Sequence, residues 1–553
     1  MIDLGKFAVY QIYPRSFADS NGDGVGDIPG VIDKLDYLEN LGVNCLWLTP
    51  FYPSPQKDNG YDVADYKKID PLYGTFEDFD KLVALCKEKN MFLMLDMVFN
   101  HTSDQHPWFK KALSGDEKYR NYYIFKKSET GVPTNWVSKF GGSAWEKVGN
   151  TDEYYLHLFD ASQPDLNWEN PELREEIYQI MDFWLEKGIR GFRFDVINLI
   201  SKPEVYENDH EGDGRRFYTD GPNVHQYLKE LNRRTFGKYP TVTVGEMSST
   251  SIENCIKYSN PVEKELDMVF NFHHLKVDYE KGNKWTRGAM DFEALKNLLH
   301  TWQTELQEGG GHQAMFWCNH DQPRIVSRFG DDGEYHKESS KMLATALHLM
   351  WGTPYIYQGE EIGMTNAYFE KIEDYRDVES ANYYRILKEQ NIEEKEILEI
   401  LSKKSRDNSR TPMQWDSRLN CGFSVGKPWI PLGKNSHITA EAALADKTSI
   451  FYHYQKLIRL RKTEDIIVYG KYSPLFEDNP SAFAYKRECE NETLIVICNF
   501  FKEDTAVDLK DMKNFVQKGE LLISNYDYPQ INESQVKLRP YEGFCIRTRI
   551  QKI

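Results

Sequence analysis

Eight short apolar runs, alternating with helix-like stretches, constrain this chain more than any other feature. They begin at Ala8, Val43, Phe92, Ile189, Thr241, Met268, Ala314 and Thr353. Segments with apolar residues at helical spacing, such as 32–41, 76–89, 223–234 and 292–306, stand between them. Strand alternating with helix predicts an α/β fold with a parallel sheet, and eight such units predict a closed (β/α)8 barrel. In a barrel of this kind, binding and chemistry belong to the loops at the C-terminal strand ends.

At 553 residues the chain is too long for one simple core. The alternation assigns residues 1–100 and 169–472 to the barrel. Residues 101–168 form an irregular insertion after the third strand, rich in Trp, Tyr, Gly and Ser. A charged, extended region at 367–423 follows the eighth strand. Short strands at 482–486, 493–499, 520–524, 535–538 and 543–547 predict a C-terminal antiparallel β-domain over 473–553.

The net charge of −18 excludes a nucleic-acid footprint and a polybasic membrane surface. No run of about eighteen apolar residues occurs, so no membrane span is expected. The eight cysteines are scattered and form no CxxC pair. Together with an N-terminus unlike a signal peptide, they predict a reduced, cytoplasmic protein. A monomer or weak homo-oligomer is expected.

The strand ends carry the chemistry. On the fourth run, 189–196, strand alternation puts Phe192 and Phe194 on one face and Arg193 and Asp195 on the other. Opposite charges on one buried face are retained as a structural pair or as working chemistry. Other strands decide between the two: Asp96 and His101 follow the third, Glu246 the fifth, His320 and Asp321 the seventh. A ring of Asp195, Glu246 and Asp321 with an arginine and histidines suits glycoside hydrolysis, which needs a nucleophile, a proton donor and stabilisation of oxocarbenium-like charge. Tyr61, Trp145, Tyr155 and Phe159 are aromatic candidates for sugar faces, though each alone fits core packing better.

One loop is a metal candidate. In SFADSNGDGVGDIPG, residues 16–30, Asp19, Asn21, Asp23, the Val25 carbonyl and Asp27 offer oxygen ligands at alternate positions, as a calcium loop does. Gly30 stands where an EF-hand has glutamate, so the alternative is an Asx-rich turn. The expected ion is calcium, with magnesium second, in a structural role; no organic cofactor is expected.

QIYPRSF at 11–17, DMVFNH at 96–101, QPDLN at 163–167, GFRFDVINLIS at 191–201, VGEM at 244–247 and FWCNHDQPR at 316–324 resemble the ordered signature regions of the α-amylase family of glycoside hydrolases, oligo-1,6-glucosidase branch. DGRRFYTDGP at 213–222, FNFHHLKVDY at 270–279 and SRDNSRTPMQW at 405–415 look most like its phospho-α-(1,1)-glucosidases. The resemblance implies Asp195 as nucleophile, Glu246 as acid/base and Asp321 as transition-state stabiliser. It also implies that Asp58, Tyr61, His101, Arg193, His320 and Arg406 hold the glucosyl ring. The implied reaction is hydrolysis of trehalose 6-phosphate through a covalent glucosyl-enzyme, with isomaltose-type oligosaccharides as the alternative substrates. The implied partner is a small disaccharide. Arg216, His274, Lys276 and Lys284 are the basic candidates for the phosphate, against the reading that they are ordinary solvated loop residues.

Overall fold

The structure, a computed structural model, describes residues 2–532 and 534–549. Eight parallel strands form a nearly closed (β/α)8 barrel: Val9–Ile12, Cys45–Leu48, Phe92–Met97, Gly191–Phe194, Val242–Glu246, Met268–Phe270, Ala314–Met315 and Thr353–Tyr357. Their order in the sheet is seventh, eighth, then first to sixth. The chain separates into two compact units, one chiefly Trp47–Phe272 with Arg376–Glu393, the other Asp3–Leu46, His273–Tyr375 and Glu394–Ile553.

In the first unit, the helix Pro171–Glu186 leads into the fourth strand. Asn170 caps it by accepting from the Glu172 N–H, and proline stands in the first turn, where no N–H is needed. Leu173, Ile177, Ile180, Met181, Trp184 and Leu185 form its buried face. The strand runs only over Gly191–Phe194, shorter than the alternation suggested, because Val196 takes φ 36° and turns the chain out of the sheet. Gly191 has a packing reason: a Cβ there would stand 2.7 Å from the Met94 Cα of the third strand. That close approach sets the register, which pairs Asp96 with Arg193 across the two strands.

The insertion after the third strand is more regular than its composition suggested. It holds helices Pro107–Leu113 and Glu117–Arg120 and a three-stranded antiparallel sheet of Phe125–Lys127, Trp145–Lys147 and Glu153–Leu156. Trp136, Trp145, Leu156 and Leu158 pack there with Leu199 and Tyr218. An ammonium fixes its base: Lys202 Nζ is 2.8 Å from Asp165 Oδ2 and 2.8 Å from Asn100 Oδ1, with all three residues buried.

The segment read as extended after the eighth strand contains two longer helices and the short helix Asp407–Arg410. Val378–Glu389, capped by Asp377, belongs to the first unit, and Glu394–Lys404 to the second. Dense charge hid a helical apolar spacing, in which Ile397, Ile400 and Leu401 are buried. The C-terminal strands lie within the second unit. Five antiparallel strands, Lys471–Leu475, Ala482–Cys489, Glu492–Asn499, Gly543–Arg549 and Glu520–Ser524, make one sheet, and Thr505–Asp508, Gln535–Leu538 and Gln530–Ile531 make another. Both contribute to one apolar cluster that includes Ile495, Ile497, Val507, Val536 and Phe544.

Candidate active site

The first unit is organised around Arg193, which is fully buried. Its Nη1 donates to Asp96 Oδ1 at 2.6 Å and to Asp195 Oδ1 at 2.7 Å, and its Nη2 donates to the Glu246 carboxylate. Burial works against the guanidinium charge, but Asp96, Tyr61 and Asp195 outweigh it and hold Arg193 above its usual range. Asp96 is fixed in turn by Tyr61 Oη at 2.9 Å and Trp47 Nε1 at 3.2 Å. Asp195 leaves its strand beside the strained Val196, and Glu246 is the last residue of the fifth strand. One guanidinium bridging both side chains keeps two carboxyl groups close together and oriented.

A second set of contacts continues from Tyr61. His101 lies with Nε2 3.1 Å from the Tyr61 carbonyl, and the Asn100 amide is 3.2 Å from its Nδ1. Gln163 Nε2 lies 3.2 Å from His101 Nε2, and burial pushes the His101 pKa down. Gln163 Nε2 donates to Asp58 Oδ2 at 3.0 Å and to the Tyr61 carbonyl at 3.3 Å. Asp58, Tyr61, His101, Arg193, Asp195 and Glu246 therefore form one connected polar network. Phe159 stands with its ring centroid 5.1 Å from His101, whereas Trp145 and Tyr155 are buried in packing, Trp145 donating to Thr134 Oγ1 and Tyr155 to the Ala161 carbonyl.

In the second unit, His320 and Asp321 follow the seventh strand. Gln11 Nε2 is 2.7 Å from His320 Nδ1. Arg410 Nη2 donates to Asp321 Oδ1 at 2.6 Å, and Arg406 Nη1 reaches the same oxygen at 3.4 Å. Burial opposes a charge on Asp321, but His320, Arg406 and Arg410 outweigh it and hold the carboxyl well below the usual carboxylate range. Two guanidinium groups on one oxygen favour the ionised form of Asp321, which suits it to stabilising positive charge.

Gln163 and Arg410 were absent from the residues singled out in the sequence. Both stand inside its motifs, QPDLN and SRDNSR, but a partner far away in sequence leaves no local signal.

The four basic candidates divide. Arg216 lies in the first unit, its guanidinium 3.0 Å from Asp209 and 3.3 Å from Glu211. His274, read as a cation, is a correction: it is buried, its Nε2 is 2.8 Å from the Phe316 carbonyl, and burial pushes its pKa down to about 4. It is neutral at pH 7 and offers no charge to a phosphate. Lys276 follows the turn His273–Leu275, and Lys284 places its ammonium 4.7 Å over the Trp285 ring; neither is buried.

In the metal-candidate loop, Asx turns arrange the oxygens. Asp19 accepts from the Asn21, Gly22 and Gly24 N–H groups and from Ser424, Asn21 accepts from Asp23 N–H, and Asp23 accepts from Val25 N–H. Asp27 caps the helix Ile28–Asp33 through Gly30 N–H and also accepts from Ser20. Among the described residues no three His, Cys, Asp or Glu side chains converge as a ready metal cage. The donor chemistry, all hard oxygen from Asp19, Asn21, Asp23, the Val25 carbonyl and Asp27, suits calcium or magnesium.

Comparison with known proteins agrees with this fold. The α-amylase catalytic domain family matches residues 11–470, and the maltogenic amylase C-terminal domain matches residues 472–546. A trehalose-6-phosphate hydrolase of Bacillus subtilis (strain 168) is 56% identical over 547 residues, covering 98% of this chain and 97% of its own length. An oligo-1,6-glucosidase of Parageobacillus thermoglucosidasius is 50% identical over 553 residues, covering 98% of each. The crystal structure of Bacillus licheniformis trehalose-6-phosphate hydrolase superposes with a TM-score of 0.94 at 55% identity, covering 99% of both chains.

Proposed function

The chain belongs to the α-amylase family of glycoside hydrolases, and from that premise we propose that it hydrolyses trehalose 6-phosphate to glucose and glucose 6-phosphate with retained anomeric configuration. The observation that carries the reaction class is Arg193 bridging Asp195 and Glu246. A single guanidinium holding both favours the short carboxyl separation of a retaining site, about 5–5.5 Å, over the roughly 6.5–9.5 Å of an inverting one.

Asp195, kept ionised by Arg193, attacks the anomeric carbon of the unphosphorylated glucose. Glu246 gives its proton to the departing oxygen, and glucose 6-phosphate leaves. Water, deprotonated by the same Glu246, then attacks the glucosyl ester from the face just vacated, freeing Asp195 and α-glucose. Glu246 must first take up a proton, so substrate has to loosen its bond to Arg193. Asp321 stabilises the oxocarbenium-like charge in both steps. Asp58, Tyr61, His101, His320 and Arg406 bind the glucosyl hydroxyls. The phosphorylated substrate is supported by the 56% identical relative; isomaltose-type substrates, supported by the 50% identical one, are the second reading.

Lys276, Lys284 and Arg216 are our candidates for the phosphate. Lys276→Ala and Lys284→Ala should each raise KM for trehalose 6-phosphate about tenfold or more, the value of a charge-assisted contact, and leave an aryl α-glucoside nearly unaffected. A kcat/KM panel on trehalose 6-phosphate, isomaltose and p-nitrophenyl α-glucoside checks both points. Isomaltose preferred over trehalose 6-phosphate would replace the first reading by the second.

We also propose a structural calcium ion, with magnesium second, held by Asp19, Asn21, Asp23, the Val25 carbonyl and Asp27. Such an ion binds the fold and not the unfolded chain, so EDTA should lower Tm by several degrees and added calcium restore it. An unchanged Tm would leave the loop as a set of Asx turns.

Among the described residues no helix is long and apolar enough to cross a membrane. A cytoplasmic location is supported by cysteines that form no disulfide among the described residues, all buried but Cys489, with the thiols of Cys86 and Cys318 pushed up to about 12 by burial.

A further inference from the structure

Asp321 has two arginines, and they are not equivalent. Arg406 touches it at 3.4 Å, whereas Arg410 makes the short bond, 2.6 Å, while its Nε donates to the backbone carbonyl of His320 at 2.8 Å. One rigid guanidinium thus grips the main chain of one residue and the carboxylate of the next, which fixes the direction of Asp321 as well as its charge.

Arg410 is itself held by a frame. It is fully buried, and its carbonyl accepts from Ser16 Oγ at 2.6 Å. The preceding carbonyl, of Ser409, accepts from Tyr357 Oη at 2.8 Å and from Arg324 Nη2 at 3.2 Å. Tyr357 ends the eighth barrel strand, and Arg324 also donates to the Gln358 carbonyl. The guanidinium is therefore referenced to the barrel, and Asp321 is referenced to the guanidinium.

We infer that Arg410 is a positioning residue that aims Asp321. The inference rests on the assignment of Asp321 as the transition-state stabiliser. A group that acts only as charge develops should cost kcat when misaimed and leave substrate binding nearly intact.

The test compares Arg410→Gln, Arg410→Lys and Asp321→Asn with the parent enzyme on p-nitrophenyl α-glucoside, with Tm measured for each. Arg410→Gln should lower kcat about 100-fold with KM changed less than about threefold, as expected for a displaced catalytic group. Arg410→Lys should recover part of that loss. A purely structural role would lower Tm without a fall in kcat at constant KM. If Arg410→Gln does not fold, Arg410→Lys decides: a kcat loss of about tenfold at constant KM upholds the inference, and kcat within about twofold of the parent overturns it. Asp321→Asn separates the two failures. Full turnover in that variant removes the assignment of Asp321, whereas collapse there with near-parental kcat in both Arg410 variants removes only the role of Arg410.

Discussion

Asp195→Ala is expected to lower turnover by about 10⁴-fold or more while leaving a folded protein, the loss seen when the group that forms a covalent intermediate is removed. The fold should survive because Arg193 keeps two of its three carboxylates, Asp96 at 2.6 Å and Glu246. Removing the arginine instead would strand Asp96, which is buried, at a cost of about 3–5 kcal/mol. The two changes therefore separate chemistry from folding. Azide added to the alanine variant should enter from the face Asp195 occupied and yield β-glucosyl azide. Near-parental turnover without azide would remove Asp195 as nucleophile.

Acid is expected to unfold this protein more steeply than carboxylate protonation alone explains. His106, His274, His300 and His312 have pKa values pushed down to about 4 by burial, and His348 to about 3. Unfolded imidazoles take up protons below about pH 6.5, while these rings stay neutral until about pH 4, so the unfolded state binds more protons throughout that window. Stability from these rings is complete above pH 6.5 and is lost as pH falls towards 4, by about 1.4 kcal/mol per pH unit for each ring once fully in the window. A few such groups acting together rival the total stability of a typical domain, about 5–15 kcal/mol. Asp321, held below its usual range, adds loss of the same sign at lower pH. Glu360 acts oppositely: burial first, and Glu361 after it, push it up to about 8, so it contributes stability at low pH that is lost as pH rises from about 4.5 to 8. Asp27, Asp62, Asp96, Asp267 and Glu361, also raised by burial, act in the same direction as Glu360. The expected fall in Tm between pH 6.5 and 4 is the excess of the histidines over these carboxyl groups. A Tm flat across that range would contradict that excess.

Much of this architecture was legible because barrel strands are short apolar runs with local periodicity, and because Asp195 and Glu246 stand at strand ends and Asp321 in the loop after the seventh strand. The helix Pro171–Glu186 was readable from its Asn170 cap, its apolar stripe and Gly188. The helix Glu394–Lys404 was not, because its charged face dominates the composition while a narrow stripe does the packing. The insertion sheet was missed for a related reason: strands of three or four residues, such as Trp145–Lys147, are too short to show a period. Charge was legible and burial was not. His274 reads as a cation in FNFHHLK and becomes a neutral ring only because the chain folds over it. Gln163 bonds Asp58 across 105 positions, and Arg410 bonds Asp321 across 89; no window of sequence joins such partners.

The most direct measurement is proton NMR of the first products released from trehalose 6-phosphate, read before the glucose anomers equilibrate. A retaining phospho-α-glucosidase must give α-glucose first, with one equivalent of glucose 6-phosphate, and the intact disaccharide must decline in step. β-Glucose appearing first would contradict the covalent route through Asp195, and an inert trehalose 6-phosphate in an enzyme that cleaves isomaltose would contradict the assigned substrate.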